Sequence, residues 1–405
     1  MIMKKSFCQG VDFIIRKSLQ SPFHCFLIFV FTCFLLFNAC TSIKQTTPQP
    51  TTKQHLDPVY QIIDSVKRKF APDPRTSIFD ITPEINNNKL ILNGETLSKS
   101  AVKELILHLT ELNKFEIENN INELPDLSLG KDTCAVVTIS VASLHCEPDI
   151  RQEVVNQVLL GAAIRLLKRK RSNYYCQLED GYLGWIDGSA LAVVDSAMLS
   201  DWQNQRKVVV KAIWGLIKCE PSESSASVGD LVVGNELIFL SKDEKWSRVK
   251  LPDGRTGYVN NEFLIDQREL LNRKAPSAEN ILNTAGQLKG FPYVWGGTST
   301  KGMDCSGFTY TVFRINGIRL PRDANMQVTL GDSVEITENL EKLLPADLLF
   351  FSPDSNRITH VGIYLGDYQF IHSEGYVRQD SFNPADSNYY EYRRRTLLKV
   401  RRIIK

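Results

Sequence analysis

Apolar residues recur every three to four positions in two stretches of the first third of the chain, a spacing that predicts amphipathic helices. Two short apolar runs between these stretches predict strands, and Asn93-Gly94 after the second run predicts a turn. The predicted helices cover residues 59–70 and 98–112, and the predicted strands cover residues 77–85 and 89–92. Together they predict a small α+β module over residues 57–130. The module has no cluster of catalytic residue types, so we interpret it as a spacer or an interaction domain.

The next part of the chain contains an internal repeat. Cys146-Glu-Pro recurs as Cys219-Glu-Pro, and Asp180-Gly-x-x-Gly-Trp recurs as Asp253-Gly-x-x-Gly-Tyr, both at an offset of 73 residues. Short strand-like runs punctuated by Gly, Asp and Pro predict a small antiparallel β-barrel for each copy. In the second copy these runs cover residues 208–213, 231–239 and 246–249. The hairpin motif resembles that of bacterial SH3-like domains, and the two predicted barrels cover residues 133–195 and 206–266.

The last part of the chain, residues 277–405, is predicted to have helices first and strands afterwards. Ser277 is expected to cap a helix that extends to about Leu288, and a second helix is expected to begin at Cys305 and to end near Ile315. The predicted strands cover residues 348–351, 360–365 and 369–372. Arginines alternating with apolar residues after position 393 predict a last strand with a solvated charged face. This order predicts an α+β domain, and the whole chain is predicted to be a multidomain α+β protein.

The N-terminal segment has the features of an export signal. Basic residues precede an apolar stretch, residues 25–37, that is short for a bilayer span and has the length of a signal-peptide core. Ala39-Cys40 follows, and residues 1–40 resemble a bacterial lipoprotein signal peptide, which implies a lipid on Cys40. An uncleaved signal anchor is the alternative. Residues 41–56 are rich in Thr, Gln and Pro and predict an extended tether, so we expect an exported protein, in the periplasm or cell envelope, held at a membrane by its N-terminal lipid.

Composition limits the choice of partners. The formal net charge of +2 gives no indication of nucleic acid as a partner.

Four of the nine cysteines lie in the middle of the exported part, where they can form disulfides whose pairing the sequence leaves open. These are Cys134, Cys146, Cys176 and Cys219. No Cys or His spacing matches a zinc site, so neither a metal nor a cofactor is predicted.

One cysteine stands out because the last third of the chain contains no other. Cys305 is predicted in the first turn of a helix, where free N–H groups and the positive end of the helix dipole favour the thiolate. We therefore expect the pKa of Cys305 to be lowered. Its polar neighbours, Asp304 and Ser306, argue against burial in a core.

The same third of the chain contains two histidines, His360 and His372. They lie on two predicted strands that are expected to form a hairpin turning at Gly366-Asp367, so that the two rings share a face and touch. A helix-start cysteine and two neighbouring imidazoles fit the roles of nucleophile, base and orienting group.

Five motifs between residues 293 and 364 resemble those of the NlpC-type papain-like cysteine peptidases of bacterial cell walls. They are Tyr293-Val-Trp-Gly-Gly, Asp304-Cys305-Ser306-Gly-Phe, Leu320-Pro-Arg322-Asp323, Pro345-Ala-Asp-Leu-Leu-Phe-Phe and His360-Val-Gly-Ile-Tyr. The resemblance implies hydrolysis of the bond between γ-D-glutamate and a diamino acid, either diaminopimelate or lysine, in peptidoglycan stem peptides. It implies Cys305 as the nucleophile, His360 as the general base and then acid, and His372 as the orienter. The backbone N–H of Cys305 and the Tyr293 hydroxyl are then expected at the oxyanion.

Two SH3-like domains ahead of such a peptidase resemble the γ-D-glutamyl-L-diamino acid endopeptidases that recycle wall peptides. In that family the first barrel closes one end of the cleft, which implies a requirement for a free N-terminal L-alanine. The residues that match the family's substrate-binding positions are Glu153, Tyr182, Tyr293, Asp304, Ser306, Arg322 and Asp323. The alternative for Glu153 and Tyr182 is an exposed barrel residue. Ala324 departs from the pattern, since recycling relatives can carry serine there.

Three functions remain open at this point. The leading hypothesis is a lipid-anchored peptidase that releases L-Ala-γ-D-Glu from free stem peptides. A second is an endopeptidase on intact cell wall, with the barrels as wall-binding modules. A third is a non-catalytic envelope scaffold.

Overall fold

The computed structural model describes residues 52–271 and 276–404. The predicted signal peptide at residues 1–40, with the lipidation residue Cys40, lies outside the described residues, as does the predicted tether up to residue 51. No helix within the described ranges is long and apolar enough to cross a membrane. The compact unit that contains all described residues is Pro50–Lys405.

The N-terminal module contains the predicted helices and strands and one additional strand. Its elements are α1 (Thr52–Phe70), β1 (Phe79–Asn86), β2 (Lys89–Thr96), α2 (Lys99–Glu111) and β3 (Glu116–Glu123). β1 pairs with β2 antiparallel, β3 joins β2 in parallel, and apolar side chains of both helices pack on this sheet. The sequence does not predict β3, because its eight residues are mostly polar and partly or fully exposed.

Two expectations for this module are wrong. Helix α1 begins at Thr52, so residues 52–56 of the predicted tether are helical. The hairpin turn lies at Asn87-Asn88, whereas Gly94 pairs with Ile81 inside the β1–β2 ladder. A Cβ at Gly94 would lie 1.9 Å from the Asp80 carbonyl oxygen. Glycine is therefore needed there because the strands approach closely, and not because the chain turns.

Each copy of the repeat forms a seven-stranded antiparallel sheet. The first consists of β4 (Cys134–Val137), β5 (Val141–His145), β6 (Val154–Leu159), β7 (Ala163–Lys170), β8 (Asn173–Gln177), β9 (Leu183–Asp187) and β10 (Leu191–Val194), and helix α3 (Ser196–Asn204) follows. The second consists of β11 (Lys207–Val210), β12 (Trp214–Lys218), β13 (Ser227–Val232), β14 (Glu236–Lys242), β15 (Trp246–Lys250), β16 (Thr256–Asn260) and β17 (Leu264–Asp266), and helix α4 (Gln267–Leu271) follows.

The repeat offset of 73 residues reappears in the backbone. Bulges at corresponding positions bend the two sheets alike, at Leu144/His145 and Leu166/Lys168 in the first and at Ile217/Lys218 and Phe239/Ser241 in the second. The strand orders are β10-β4-β7-β8-β9-β5-β6 and β13-β12-β16-β15-β14-β11-β17, and each sheet is open between its two edge strands within the described residues. The predicted run at 231–239 is two strands, because Gly234 adopts a φ of +90° between them.

The last domain places two helices against an antiparallel sheet. Its elements are α5 (Ala278–Gln287), β18 (Thr298–Ser299), β19 (Gly302–Met303), α6 (Cys305–Ile315), α7 (Ala324–Gln327), β20 (Asp332–Val334), β21 (Leu348–Phe351), β22 (His360–Gly366), β23 (Gln369–Glu374), β24 (Tyr376–Ser381), α8 (Glu391–Thr396) and β25 (Leu397–Arg402). The main sheet has the order β20-β25-β21-β22-β23-β24. Helices α5 and α6 and one face of this sheet enclose a core, and a second apolar cluster fills the other face.

Most helix and strand predictions for this domain are confirmed. Ser277 caps α5, and α6 has the predicted bounds, with Asn316 as its last capping residue. Strand β24 was not predicted. The arginine-rich segment 393–395 belongs to the short helix α8, where Arg393 is buried, so only the part from Leu397 onwards forms the predicted strand.

Neighbouring domains contact one another through specific side chains. Ile78, Leu124, Leu167 and Leu183 form an apolar cluster between the N-terminal module and the first repeat sheet. The side-chain oxygen of Gln157 in that sheet accepts hydrogen bonds from the Thr298 N–H and the Ser299 hydroxyl of the last domain, both at 3.0 Å. Lys301 forms an ion pair of 2.7 Å with Asp230 of the second sheet.

The cysteines of the two repeat sheets are free thiols. Cys146 and Cys219 are exposed, Cys134 is partly buried, and Cys176 is fully buried. Burial raises the pKa of Cys176 to about 12, so this thiol stays protonated at neutral pH.

Candidate active site

Cys305 is the first residue of α6 and points into the domain core. Asp304 caps the helix, since its carboxylate accepts a hydrogen bond of 2.7 Å from the Gly307 N–H. The Cys305 thiol accepts hydrogen bonds from the backbone N–H groups of Val361 and Ser306. Because Val361 directly follows His360, the thiol lies at the start of β22, beside the first of the two histidines.

The expectation of a thiolate at this position is wrong for the free protein. Cys305 is buried, with 9% of its surface exposed, and so are its neighbours Asp304 and Ser306. Burial, and then the charge of Asp304, raise the pKa of Cys305 to about 11. The loss of hydration outweighs the helix start and the two N–H donors, so the side chain is a neutral thiol at pH 7.

The two histidines touch, as predicted. His360 Nε2 and His372 Nδ1 are 2.7 Å apart, and the ring planes are nearly perpendicular. The rings are diagonal neighbours on one face of the β22–β23 hairpin, since the register pairs Ile363 with Ile371. Gly362 faces His372, and a Cβ there would lie 3.1 Å from the His372 Cβ. Its lack of a side chain therefore leaves room for the imidazole.

A fourth residue, Asp380 on β24, extends this contact. His372 Nε2 lies 2.7 Å from Asp380 Oδ2, which also accepts a hydrogen bond of 2.8 Å from Arg378 Nε. Despite its burial, hydrogen bonds from His372 and Arg378 lower the pKa of Asp380, so it is a carboxylate. Sequence reasoning missed Asp380 because it missed β24, although Gly375 after the second histidine is a sufficient signal for another hairpin turn.

These partners fix the ring tautomers. A carboxylate only accepts, so His372 donates its Nε2–H to Asp380. Burial lowers the pKa of both histidines, further for His360 than for His372, and the positive charge of Arg393 adds to the effect on His360. A neutral His372 then accepts at Nδ1 from the Nε2–H of His360. The Nδ1 of His360 is left without a proton, which is the state that a general base requires.

The same nitrogens and a neighbouring carboxylate have the composition of a metal site. Ligand atoms of His360, His372 and Glu374 lie within 4.8 Å of one another. Three of the four ring nitrogens are, however, committed to the 2.7 Å contact between the histidines and to the bond with Asp380. The arrangement is therefore that of a hydrogen-bonded relay.

Three predicted substrate-binding residues bond mainly to one another. Arg322 is buried and donates from Nη2 to Asp304 Oδ2 at 2.5 Å and from Nη1 to the Ser306 hydroxyl at 2.9 Å. The Gly296 N–H donates to the same Asp304 oxygen at 2.9 Å. The charge of Asp304 is thus already balanced inside the protein, and this cluster holds the helix start that carries Cys305.

The other predicted substrate-binding residues bond to groups outside this cluster. Tyr182 is buried, and its hydroxyl donates a hydrogen bond of 3.3 Å to Asp323 Oδ2, so the alternative of an exposed barrel residue is wrong for Tyr182. Glu153 is exposed and accepts a hydrogen bond of 2.7 Å from Trp295 Nε1. Burial, and then the charge of Cys305, raise the pKa of Tyr293. Glu153 and Tyr182 therefore bond to two different segments of the last domain.

One residue of this region was not expected at all. Arg75, in the connection between α1 and β1, donates from Nη1 to Asp323 Oδ2 at 2.6 Å and to Asn325 at 2.8 Å. The N-terminal module, interpreted from sequence as a spacer or interaction domain, therefore reaches the same carboxylate as Tyr182. No motif signals this contact, which joins positions 248 residues apart.

A thiol at a helix start beside an imidazole relay on an antiparallel sheet defines a papain-like cysteine peptidase site. Models of known families match three parts of the chain. Residues 290–401 match the NlpC/P60 family, residues 144–191 match the bacterial dipeptidyl-peptidase SH3 domain, and residues 219–265 match the bacterial SH3 domain.

Individual relatives agree with these matches. The chain is 33% identical over 214 residues to a γ-D-glutamyl-L-lysine dipeptidyl-peptidase of Bacillus cereus, which is 52% of this chain and 62% of that protein. It is 35% identical over 136 residues to the murein DD-endopeptidase MepS/murein LD-carboxypeptidase of Escherichia coli, which is 33% of this chain and 70% of that protein. The crystal structure of an NlpC/P60 family protein from Bacillus cereus superposes with a TM-score of 0.58 at 26% identity, over 67% of this chain and 100% of that one. The chain belongs to the NlpC/P60 family of cysteine peptidases and carries two bacterial SH3 domains ahead of the peptidase domain, as predicted.

Proposed function

We propose that this protein hydrolyses the γ-D-glutamyl–diamino acid bond of peptidoglycan stem peptides and releases L-Ala-γ-D-Glu from peptides with a free N-terminal L-alanine. The observation that carries the proposal is the alignment of Cys305 with the relay of His360, His372 and Asp380. Glu153, Tyr182 and Asp323 are called the rim of the proposed substrate site. The contact of Tyr182 in the first SH3 domain with Asp323 in the last domain supports a cleft that is closed at one end. The name of the Bacillus cereus relative supports the γ-D-glutamyl bond as the point of attack.

In the proposed reaction, the Cys305 sulfur attacks the carbonyl carbon of the γ-amide and its proton moves to His360 Nδ1. The charge that forms on His360 is stabilised by His372 and Asp380 through the two 2.7 Å contacts. Backbone N–H groups at the start of α6 and the Tyr293 hydroxyl are suited to bind the oxyanion. His360 then protonates the leaving amino group of the diamino acid, which leaves a thioester between Cys305 and the γ-carbonyl.

Water completes the cycle in this proposal. His360 removes a proton from a water molecule that attacks the thioester carbonyl, and the released sulfur takes that proton back. Because the thiol and the imidazole are both neutral at rest, the proton transfer accompanies attack and does not precede it. Exclusion of water by the bound peptide strengthens the polar contacts that drive this transfer.

The amino-terminal end of the substrate peptide is selected by side chains of the first SH3 domain at the rim. A free α-ammonium group needs acceptors, and the Glu153 carboxylate and Tyr182 hydroxyl offer them from the first SH3 domain. We propose that these two groups favour peptides whose L-alanine is not attached to glycan.

A second candidate is an endopeptidase that acts on intact, glycan-linked wall. Two observations favour it: the Asp323 charge is already paired with Arg75 at 2.6 Å, and the Escherichia coli relative is named a murein DD-endopeptidase. The decisive assay compares L-Ala-γ-D-Glu-diaminopimelate with the same peptide acetylated at its N-terminus. The first proposal expects cleavage of the free peptide alone, and equal cleavage of both would favour the second.

One variant distinguishes a peptidase from a non-catalytic scaffold. Cys305→Ala is expected to lower cleavage by about 10⁴-fold or more, since the nucleophile is lost, while the thermal unfolding midpoint stays near that of the wild type. Cleavage that survives this substitution, or no cleavage by the wild type, would favour the scaffold.

We also propose that the protein is exported and held at a membrane by a lipid on Cys40. The apolar segment before Ala39-Cys40 supports this location. Metabolic labelling with a radioactive or clickable fatty acid tests it, and Cys40→Ala should abolish the label. A labelled Cys40→Ala protein would contradict the anchor and leave the peptidase proposal untouched.

A further inference from the structure

The N-terminal module contributes a cation to the rim of the proposed substrate site. Arg75 donates from Nη1 to Asp323 Oδ2 at 2.6 Å and to Asn325 Oδ1 at 2.8 Å. Tyr182 donates to the same Asp323 oxygen. One carboxylate oxygen therefore joins the N-terminal module, the first SH3 domain and the peptidase domain.

The loop that carries Arg75 is held in this position by its neighbours. The Leu183 N–H donates to the Arg75 carbonyl at 2.8 Å, and Gln177 donates to the Thr76 carbonyl at 3.1 Å. Pro72 and Pro74 restrict the backbone on either side of Asp73. The first SH3 hairpin thus presents Arg75 to the peptidase domain as a preorganised group.

The guanidinium is oriented by a second carboxylate on its own loop. Asp73 accepts from Arg75 Nε at 2.9 Å and from Nη2 at 2.6 Å, which leaves the Nη1 edge for Asp323. Hydrogen bonds to Asp73, and then the charge of Asp323, raise the pKa of Arg75, so the cation is permanent. On the opposite side, Arg322 Nη1 lies 4.0 Å from Asp323 Oδ1. Asp323 is therefore placed between two guanidinium groups.

We propose that Arg75 is a specificity-determining residue of the peptidase: it neutralises Asp323 and thereby weakens the preference for peptides with a free α-ammonium group. A substrate ammonium that approaches Asp323 meets the positive charge of Arg75, so recognition of the amino end relies on Glu153 and Tyr182 alone. The proposal rests on the proposed function, because it concerns which stem peptides the site accepts.

The test measures kcat/KM of the full chain for L-Ala-γ-D-Glu-diaminopimelate and for its N-acetylated form. In Arg75→Gln and Arg75→Ala, Asp323 is free to pair with the substrate ammonium. The ratio of kcat/KM for free over acetylated peptide should rise about twofold to fivefold, as expected for a partly exposed ion pair. The change should lie in KM for the free peptide, with kcat within twofold of the wild type as a rough limit.

Two controls separate charge from structure. Arg75→Lys keeps a cation at the rim and should keep the wild-type ratio. Arg255→Ala removes an arginine with the same Asp-x-Arg ion pair, 2.7 Å to Asp253, from the second SH3 domain and should also keep it. Thermal unfolding of every variant checks the fold. If both Arg75 variants lose the fold, Arg75→Met, which keeps a long side chain but carries no charge, should raise the ratio in the same direction.

The outcomes distinguish this proposal from the one on which it rests. If the wild type and the folded Arg75 variants are all active and the ratio stays constant or falls, the proposed role of Arg75 is overturned. The proposed stem-peptide hydrolysis then stands. If neither peptide is cleaved by the wild type or any variant, stem-peptide hydrolysis fails and the role of Arg75 fails with it. A ratio that rises equally in Arg75→Lys would show that packing, not charge, sets the selection, and would overturn the proposal as stated.

Discussion

The two SH3 hairpins have the same backbone and different surroundings. Gly181 and Gly254 both adopt a φ of +88°, and the preceding aspartate in each accepts a hydrogen bond from the N–H of the following residue, Tyr182 at 3.0 Å and Arg255 at 3.1 Å. Tyr182 is buried against Asp323 of the peptidase domain, whereas Arg255 donates to the carbonyls of Val228 and Thr138 within the SH3 pair.

This difference shows how two copies of one scaffold acquire different contacts. The turn geometry is a property of the Asp-Gly pattern, so both copies retain it. The functional difference lies in one side chain and in what the neighbouring domains bring to it. In the first copy, the N-terminal module and the peptidase domain both contact the hairpin, and Tyr182 lies in the proposed substrate site.

The comparison of the two hairpins is meaningful only if the relay of His360, His372 and Asp380 is catalytic. Asp380→Ala should lower kcat by about 10²- to 10⁴-fold, because His372 loses the carboxylate that fixes its tautomer. The pH profile should change too, since the charged form of the relay is no longer stabilised. Steady-state kinetics from pH 5 to pH 9 checks both effects. Activity within threefold of the wild type would show that Asp380 is only structural.

Exchanging the two hairpin residues tests the comparison directly. Tyr182→Arg should lower kcat/KM for the free-amino peptide by about 10- to 100-fold, because a third cation joins Arg75 and Arg322 near Asp323. Arg255→Tyr should leave kcat/KM unchanged, although it removes two hydrogen bonds to carbonyls. The matched pair is measured with the same peptide and with thermal unfolding. Equal losses in both variants would contradict the distinct roles of the hairpins.

The pH dependence of activity tests the protonation states of His360 and Cys305. His360 must be neutral to act as base, and burial lowers its pKa below the usual value near 6.5. Activity should therefore rise as the pH rises through a value below 6.5 and then stay level beyond pH 9, because burial raises the pKa of Cys305 to about 11. A profile of kcat/KM against pH checks this.

The same pKa values predict how the thiol reacts with an alkylating reagent. Cys305 should react slowly with iodoacetamide at pH 7 and faster as the pH approaches 11, since only the thiolate reacts. Peptide mass spectrometry follows Cys305 and the exposed Cys146 in one sample. A bell-shaped activity profile that falls above pH 8, together with rapid alkylation at pH 6, would instead indicate a thiolate–imidazolium pair.

The smallest effect is expected from the shared turn. Gly181→Ala and Gly254→Ala each place a side chain at a φ of +88° and should lower the free energy of unfolding by about 1 kcal/mol. Only Gly181→Ala should also raise KM, because it disturbs Tyr182. Denaturant unfolding and KM measured on both variants test this. A KM change in Gly254→Ala would mean that the second SH3 domain also shapes the site.

Sequence patterns predicted the local elements around the site well. Ser277 and Asn316 mark helix ends that the structure confirms, and the spacing of His360 and His372 correctly predicted contact between their rings. Such features depend on neighbours along the chain, where capping and strand alternation act. The order of the five motifs cannot be interpreted by local rules. The family resemblance gave that order its meaning as a peptidase site.

What the sequence did not predict depends on burial and on distant contacts. The helix start of Cys305 suggested a lowered pKa, but the direction is reversed by desolvation, which only the packed core determines. Asp380 lies on a strand that was not predicted, and Arg75 meets Asp323 across 248 positions. Gly375 marks the turn before the strand of Asp380, but no local pattern marks the contacts of Asp380 or Arg75, because the partners belong to elements brought together by the fold.

The single oxygen of Asp323 that accepts from Arg75 and Tyr182 also has a consequence for biogenesis. Its three contributors emerge from the ribosome at well-separated times, and long-range contacts of this kind form late in folding. A chain that is still folding can thus carry Cys305 on a formed α6 while the rim above it is missing. Under the proposed function, selection of the substrate end would then begin only when the last domain has docked onto the two domains before it.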